Sequence, residues 1–137
     1  MKKLAVIVSR GTYSNLLRAC EWVRCAAEEP RQVSVFFCDE AAARLTKEKV
    51  GTIPFSDVYR GRETKVRQLL QSQHRHDVAA QIRQAKEKGD VKFAVCRDSL
   101  EQFEIVVEDL IAELDEVQTA TAFWREAVAT ADEVLTF

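Results

Sequence analysis

Three short apolar runs constrain the fold of this chain more than any other feature. They are Lys3–Ser9, Val33–Cys38 and Val91–Cys96. Runs of β-branched and other apolar residues with little alternation are typical of strands that are buried on both faces, as in a parallel sheet. The stretches between them have apolar residues at helical spacing. The sequence therefore predicts an α/β fold in which a mostly parallel sheet is covered by helices on both faces.

The remaining segments complete a predicted order of β-α-β-α-α-β-α-β-α-β. The expected helices are Tyr13–Glu29, Glu40–Lys49 and Thr121–Ala131, and the segment Ser99–Leu114 is expected to be helical or partly so. Two further short strands are expected at Glu116–Gln118 and Val134–Phe137. Residues Arg62–Lys88 predict either one long helix with a polar middle or two helices, and Gly51–Gly61 is predicted to be a loop. We expect a single three-layer domain over residues 1–137 with about five strands.

The composition limits the class of protein. The 137 residues are 47% hydrophobic and 31% charged, with a formal net charge of −2. These values fit a globular chain with a substantial core and give no electrostatic footprint for nucleic acid. The apolar run Leu4–Val8 is too short for a signal peptide, and no stretch approaches the length of a membrane span. The chain is therefore expected to be cytoplasmic, without a membrane span.

The four cysteines do not predict a disulfide framework or a metal site. They are Cys20, Cys25, Cys38 and Cys96, without a C-x2-C pair. A chain that is neither small nor cysteine-dense is expected to keep its thiols reduced. Cys20 falls on the apolar stripe of the first helix, so we expect it to be buried, whereas Cys25 points to the opposite side.

The two histidines are also expected to be solvated and not to act as ligands. His74 and His76 are two residues apart, so they do not share a helix face. With the cysteines far away in sequence, no metal site is predicted, and no cofactor is implied.

Cys96 is the residue that most suggests chemistry. It ends the third apolar run and precedes a helix-start pattern, Asp98 or Ser99 followed three residues later by Glu101 or Gln102. Backbone N–H groups at a helix N-terminus favour negative charge, so this position can stabilise a thiolate. The cation Arg97 supports that tendency and Asp98 opposes it. A buried packing thiol is the alternative interpretation.

Three features should meet at the carboxyl edge of the sheet, where ligands bind in open α/β folds. They are the Arg10-Gly11-Thr12 turn, Cys38 and Cys96. For the turn, which contains one glycine, turn geometry alone is the favoured interpretation. For Cys38, packing or incidental exposure is favoured over a functional role. If the first strand lay between the second and third, the two thiols would be about 9–10 Å apart. A disulfide, which needs Cα atoms within about 7 Å, would then require loop movement.

Several motifs in order resemble the DsrE-like family, and within it the group called DsrE2 and DsrE3. The motifs are KKLAVIVSRGT, VSVFF, VKFAVCRDSLEQF and VEDLIAELDEVQTATAF. The family has a Gly-Thr turn after its first strand, a second strand ending in Phe-Phe, and a later strand ending in a cysteine. The likeness covers most of the chain outside Thr52–Lys88.

This resemblance implies a sheet of about five strands, frequent homo- or hetero-oligomers, and the handling of sulfane sulfur as a cysteine persulfide. The sulfur-bearing cysteine corresponds to Cys96, and the Gly-Thr turn corresponds to Gly11 and Thr12. The residues expected to contact the substrate are Gly11, Thr12, Cys38, Arg97 and Ser99. Where that group usually has Leu-Asp after the turn, this chain has Tyr13-Ser14.

Two functions from different classes follow. The first is a sulfur carrier, or sulfurtransferase, that takes sulfane sulfur from a donor protein onto Cys96 and passes it to an acceptor thiol. The second is a non-catalytic interaction or scaffold subunit that binds a partner protein or small ligand at the carboxyl edge. A thiol peroxidase or disulfide reductase is disfavoured, because no C-x-x-C motif is present. Homo-oligomers are expected, with Trp22, Cys25 and Trp124 as interface residues.

Overall fold

The predicted strands form one five-stranded sheet in which every pair is parallel. The computed structural model describes residues 1–137, and the strand order is β4-β3-β2-β1-β5. The strands are β1 (Lys2–Val8), β2 (Arg31–Phe37), β3 (Asp90–Cys96), β4 (Glu116–Gln118) and β5 (Glu133–Thr136). The predicted α/β class is confirmed, with β4 and β5 as the two edge strands.

The helices also follow the predicted order. They are α1 (Tyr13–Ala27), α2 (Asp39–Arg44), α3 (Glu63–Ser72), α4 (Val78–Lys88), α5 (Arg97–Gln102) and α6 (Ala120–Phe123), which continues as a π-helical turn over Trp124–Val128. Short 3-10 turns occupy Val50–Thr52, Asp57–Tyr59 and Val107–Asp109. No helix in this fold has the length and apolar character needed to span a membrane.

Between the second and third strands, the two-helix alternative is the one that forms. His74 has a positive φ of 55°, which ends α3. Asp77 then caps α4, because its side chain accepts a hydrogen bond from the N–H of Ala80 at 3.1 Å. The polar middle of this segment is therefore a helix break, and both histidines are exposed.

The segment Ser99–Leu114, predicted to be helical or partly so, is only partly helical. Helix α5 begins earlier, at Arg97 with Cys96 as its N-cap, and neither Asp98 nor Ser99 caps it. It ends at Gln102, just before Glu104 takes a positive φ of 54°. The following chain bends to the segment after α2, where the N–H of Ile111 donates to the carbonyl of Leu45. This tertiary pairing overrides the helical spacing of the apolar residues.

The distance predicted between Cys38 and Cys96 assumes a strand order in which the first strand lies between the second and third. That strand order is wrong. β2 lies between β1 and β3. The connections from β1 to β4 all step in one direction across the sheet, and the connection to β5 alone returns. Because such crossovers are right-handed, the two directions place their helices on opposite faces of the sheet.

The first face of the sheet carries the main core of the protein. Helices α1 and α4 pack together over it, and 25 buried residues form a continuous apolar cluster. The rings of Phe37 and Phe93 stack there with centroids 5.9 Å apart. Cys20 belongs to this cluster, as its place on the α1 stripe predicts, and Cys25 is exposed.

The second face is covered only by α6 and its π-helical continuation. Six buried residues form its cluster: Ala5, Phe36, Ala94, Cys96, Phe123 and Ala127. Small side chains on β1 and β3 leave room for the Phe36 and Phe123 rings, which stack with centroids 4.7 Å apart. Both Cys38 and Cys96 belong to this thinly covered side.

Candidate functional site

The two cysteines at the carboxyl edge are direct neighbours on adjacent strands. Phe36 pairs with Ala94 and Phe37 with Val95, so the register places Cys38 opposite Cys96. Since side chains alternate between faces, both thiols lie on the second face of the sheet. The backbones that carry them are one strand spacing apart, about 4.7–4.9 Å, and this corrects the two strand spacings of about 9–10 Å expected from the wrong strand order.

The two thiols differ in exposure. Cys96 is 6% exposed, while Cys38 is only partly buried. Both are reduced. A reagent that approaches the second face therefore meets Cys38 before it meets Cys96.

The turn after β2 holds Cys38 in place. The N–H of Cys38 donates to the carbonyl of Val8 at 2.9 Å, which extends the pairing of β1 and β2 by one residue. Asp39 then takes a positive φ of 52°, a conformation that is strained for a residue with a side chain. Its N–H donates to the hydroxyl of Ser99 at 2.8 Å, which stabilises that conformation. The α5 segment after Cys96 thus fixes the turn that carries Cys38.

The electrostatic surroundings of Cys38 disfavour its thiolate. Burial raises the pKa of Cys38 to about 11, and the nearby charges of Asp39 and of an ionised Cys96, with a hydrogen bond to Asp39, act in the same direction. The Cys38 thiol is therefore protonated at neutral pH. That a charge on Cys96 raises the pKa of Cys38 agrees with the neighbouring positions of the two side chains.

Gly11 is close to this turn but does not line an open site. A Cβ at Gly11 would lie 2.6 Å from the carbonyl oxygen of Glu40, so only glycine permits this approach of the β1–α1 turn to α2. The carbonyl of Gly11 also accepts a hydrogen bond from Nε of Arg44 at 3.3 Å. Gly11 therefore positions the backbone that follows Cys38.

Thr12 faces a different part of the surface. It is the N-cap of α1 and lines a polar cavity of about 410 Å³ together with Arg10 and Arg18. Its side chain makes no capping hydrogen bond. The structure thus separates Thr12 from the two thiols, although it lies at the same edge of the sheet.

Arg97 and Ser99 have different surroundings at the start of α5. Arg97 is exposed, and Ser99 is buried with its hydroxyl bound to the backbone of Asp39. The first backbone N–H groups of α5 follow Cys96 directly, and they have no partner within the helix. Cys96 therefore directly precedes the start of a helix of six residues, which is less than two turns long.

An apolar groove beside Cys38 escaped the sequence reasoning. It has a volume of about 530 Å³, and its main lining residues are Ile7, Phe36, Cys38, Phe123, Trp124 and Val128. No charged side chain lines it. The signal that could have revealed it is the alternation within the strands, which puts Ile7, Phe36 and Cys38 on one face.

Comparisons with known proteins agree with this architecture. The model of the DsrE/DsrF-like family matches residues 2–137, and the chain belongs to that family. A structure of MTH1491, a protein of unknown function from Methanobacterium thermoautotrophicum, is similar with a TM-score of 0.60. Its sequence is 13% identical, and the match covers 98% of this chain and 99% of that one. A search of curated proteins found no match.

The family match confirms the resemblance that the sequence motifs indicate. At 13% identity, the likeness to the archaeal protein supports the fold alone.

Proposed function

We propose that this protein is a sulfur carrier that holds sulfane sulfur as a persulfide on Cys96 and passes it to an acceptor thiol. Members of the DsrE/DsrF-like family generally take part in sulfur relay, and the chain belongs to that family. The observation that carries the proposal is the position of Cys96. It ends β3, directly precedes the first backbone N–H groups of α5, and lies beside a second thiol.

The proposed chemistry requires little besides the thiol. A Cys96 thiolate attacks the outer sulfur of a donor, the donor thiolate leaves, and the sulfur stays as Cys96–S–SH. The reacting sulfur is at the start of α5, and Arg97 and Asp98 are the next two residues of the chain. No general base is needed, because the thiolate is itself the nucleophile.

Mass spectrometry after brief exposure to polysulfide or thiosulfate tests this proposal. The wild-type protein is expected to gain one sulfur atom on Cys96, and Cys96→Ser is expected to lose that gain. Cys25→Ser is the matched control, because Cys25 is an exposed thiol on α1 away from the site. A Cys96 peptide that gains no sulfur in the wild-type protein, while other thiols of the chain do, would show that the carrier is not this residue.

A second candidate function is a non-catalytic subunit that binds a partner at the same edge. The observation that favours this second function is the low exposure of Cys96, which is 6%. A sulfur carrier needs a thiol that its donor can reach, and a partner-binding subunit does not. The rate of alkylation of each cysteine in the folded protein separates the two. A Cys96 that stays unmodified while Cys25 reacts, and that also gains no sulfur, would favour the partner-binding subunit.

A further inference from the structure

The apolar groove beside Cys38 provides a route by which a sulfur donor can approach the two thiols. The apolar groove is lined by residues of β1, β2 and α6, and Cys38 is the cysteine in its wall. Cys96 lies on β3, one strand beyond β2 and away from the groove. A donor in the groove therefore contacts Cys38, and Cys96 lies behind it.

The register places the two thiols within reach of each other. The backbones of adjacent strands are about 4.7–4.9 Å apart, and Cys38 follows the pairing of Phe37 with Val95 directly, opposite Cys96. Transfer of one sulfur atom needs two collinear S–S distances of at least about 2 Å each, so the end sulfurs are about 4 Å or more apart. The same backbone spacing also lies within the Cα separation of about 4.4–6.8 Å that a disulfide spans. The geometry therefore permits the exchange of a sulfur atom, and the experiment must separate it from a direct disulfide.

The lining of the groove indicates which donors can enter it. It offers aromatic and aliphatic surface, and no arginine or lysine to bind an anion. Thioether and thiol sulfur make favourable contacts with aromatic rings, and Phe36, Phe123 and Trp124 provide them here. A charged organic group, such as that of glutathione, would lose its hydration without compensation.

We propose that Cys38 is a second sulfur-bearing thiol, which takes sulfane sulfur from organic persulfides with an apolar carbon group and exchanges it with Cys96. This inference rests on the proposed persulfide role of Cys96. It extends that role by naming the thiol that meets the donor and the class of donor.

The exchange balances without an oxidant or a reductant. The Cys38 thiolate attacks the outer sulfur of R–S–SH, the S–S bond of the donor breaks, and R–S⁻ leaves with the electron pair. The Cys96 thiolate then attacks the outer sulfur of Cys38–S–SH, and the electron pair of that S–S bond returns to Cys38. Cys38 takes up a proton, and the net change is R–SSH plus Cys96–SH giving R–SH plus Cys96–SSH.

The high pKa of Cys38 gives this exchange a direction. With a pKa of about 11, the Cys38 thiolate is scarce at neutral pH, so loading is slow there. The loading rate is expected to rise about tenfold with each unit by which the pH increases, until the pH reaches about 11. Once sulfur has moved to Cys96, protonation of Cys38 opposes its return. Cys96 is then the residue on which sulfur accumulates, and Cys38 is the residue through which it passes.

The test follows the sulfur atom along the chain over time. Trypsin separates all four cysteines, because Cys38 lies in the peptide Gln32–Arg44 and Cys96 in Phe93–Arg97. The protein is mixed with benzyl persulfide, alkylated at successive times and then digested. In wild type the alkylated persulfide is expected first on the Cys38 peptide and later on the Cys96 peptide.

The variants sharpen this test. In Cys38→Ser, the initial rate of Cys96 loading is expected to fall by about tenfold or more, since the thiol that meets the donor is gone. In Cys96→Ser, the sulfur should stay on Cys38. Loading by glutathione persulfide should be at least about tenfold slower than by benzyl persulfide, each normalised to the exposed Cys25 peptide. Cys38→Ala serves as a second variant, and thermal melting confirms that both are folded.

The outcomes separate this inference from the proposed function. If Cys96 loads at the wild-type rate in folded Cys38→Ser and Cys38→Ala, the exchange is wrong and the carrier role of Cys96 stands. A Cys38–Cys96 disulfide with release of sulfide, in place of a Cys38 persulfide, would also overturn the exchange. If no sulfur reaches Cys96 in any variant, the carrier role itself is wrong, and the exchange with it.

Discussion

The two faces of the sheet differ in how completely they are covered, and the difference separates stability from chemistry. The first face is packed by α1 and α4 over 25 buried residues, whereas the second has a cluster of six beneath α6. Both carry a pair of stacked phenylalanines, so their aromatic content is comparable. The thinly covered face, however, carries both thiols, and one of them, Cys38, lines an open groove. The first face therefore provides most of the buried core, and the second face provides the two neighbouring thiols.

The largest expected effect compares one phenylalanine from each face. Phe93→Ala removes a fully buried ring from the main core and should lower the free energy of unfolding by about 3–5 kcal/mol. Phe123→Ala should cost less, about 1–3 kcal/mol, because the adjoining groove lets side chains and water fill the space. Urea denaturation of both variants measures the difference. Equal losses would show that the second face contributes to stability as strongly as the first.

A second prediction uses the buried thiol of the first face. Burial raises the pKa of Cys20 to about 12. A thiol whose pKa is higher in the folded than in the unfolded state stabilises the fold fully below the unfolded value of about 8.5. That contribution is lost as the pH rises toward 12. Stability should therefore fall above pH 8.5 with a slope of about 1 kcal/mol per pH unit from this group.

Cysteine variants show which thiol causes this decline of stability with pH. Urea denaturation between pH 8 and 10 should show a shallower decline for Cys20→Ala than for wild type. The exposed Cys25 provides the control, since Cys25→Ala should leave the slope unchanged. An unaltered slope in folded Cys20→Ala would contradict the assignment. Cys38 adds to the decline in the same direction, because its pKa is also raised.

A third and smaller effect concerns the turn that supports Cys38. Gly11→Ala brings a Cβ within 2.6 Å of the backbone of Glu40, and should cost about 1–3 kcal/mol as α2 shifts. Gly51→Ala is the matched control, because nothing lies within 4 Å of an added Cβ there, and it should change stability by less than about 0.5 kcal/mol. Thermal melts of the two variants test this. Equal melting temperatures would contradict the role of Gly11 as a close-approach residue.

The first face was the more predictable of the two from sequence. Its strands are apolar runs and its helix α1 has a regular stripe, so hydrophobic periodicity alone predicts which residues are buried. The burial of Cys20 and the exposure of Cys25 follow from the same pattern. The family membership was also predictable, because the motifs keep their order along the chain.

The second face was less predictable for a physical reason. The neighbouring positions of Cys38 and Cys96 depend on the strand order, which comes from crossovers and not from local pattern. The positive φ of Asp39 and the early end of α5 come from tertiary hydrogen bonds, which no helical spacing reports. The groove arises from what α6 leaves uncovered, and residue types alone do not show this.

The most direct test of Cys96 as the sulfur-carrying residue is the mass of the tryptic peptide Phe93–Arg97 after the protein has reacted with a persulfide donor. This peptide is expected to gain one sulfur atom, and to gain it to a greater extent than the Cys25 peptide of the same sample. A peptide that stays unmodified in the folded protein, while other thiols of the chain take up sulfur, would contradict the claim that Cys96 carries it.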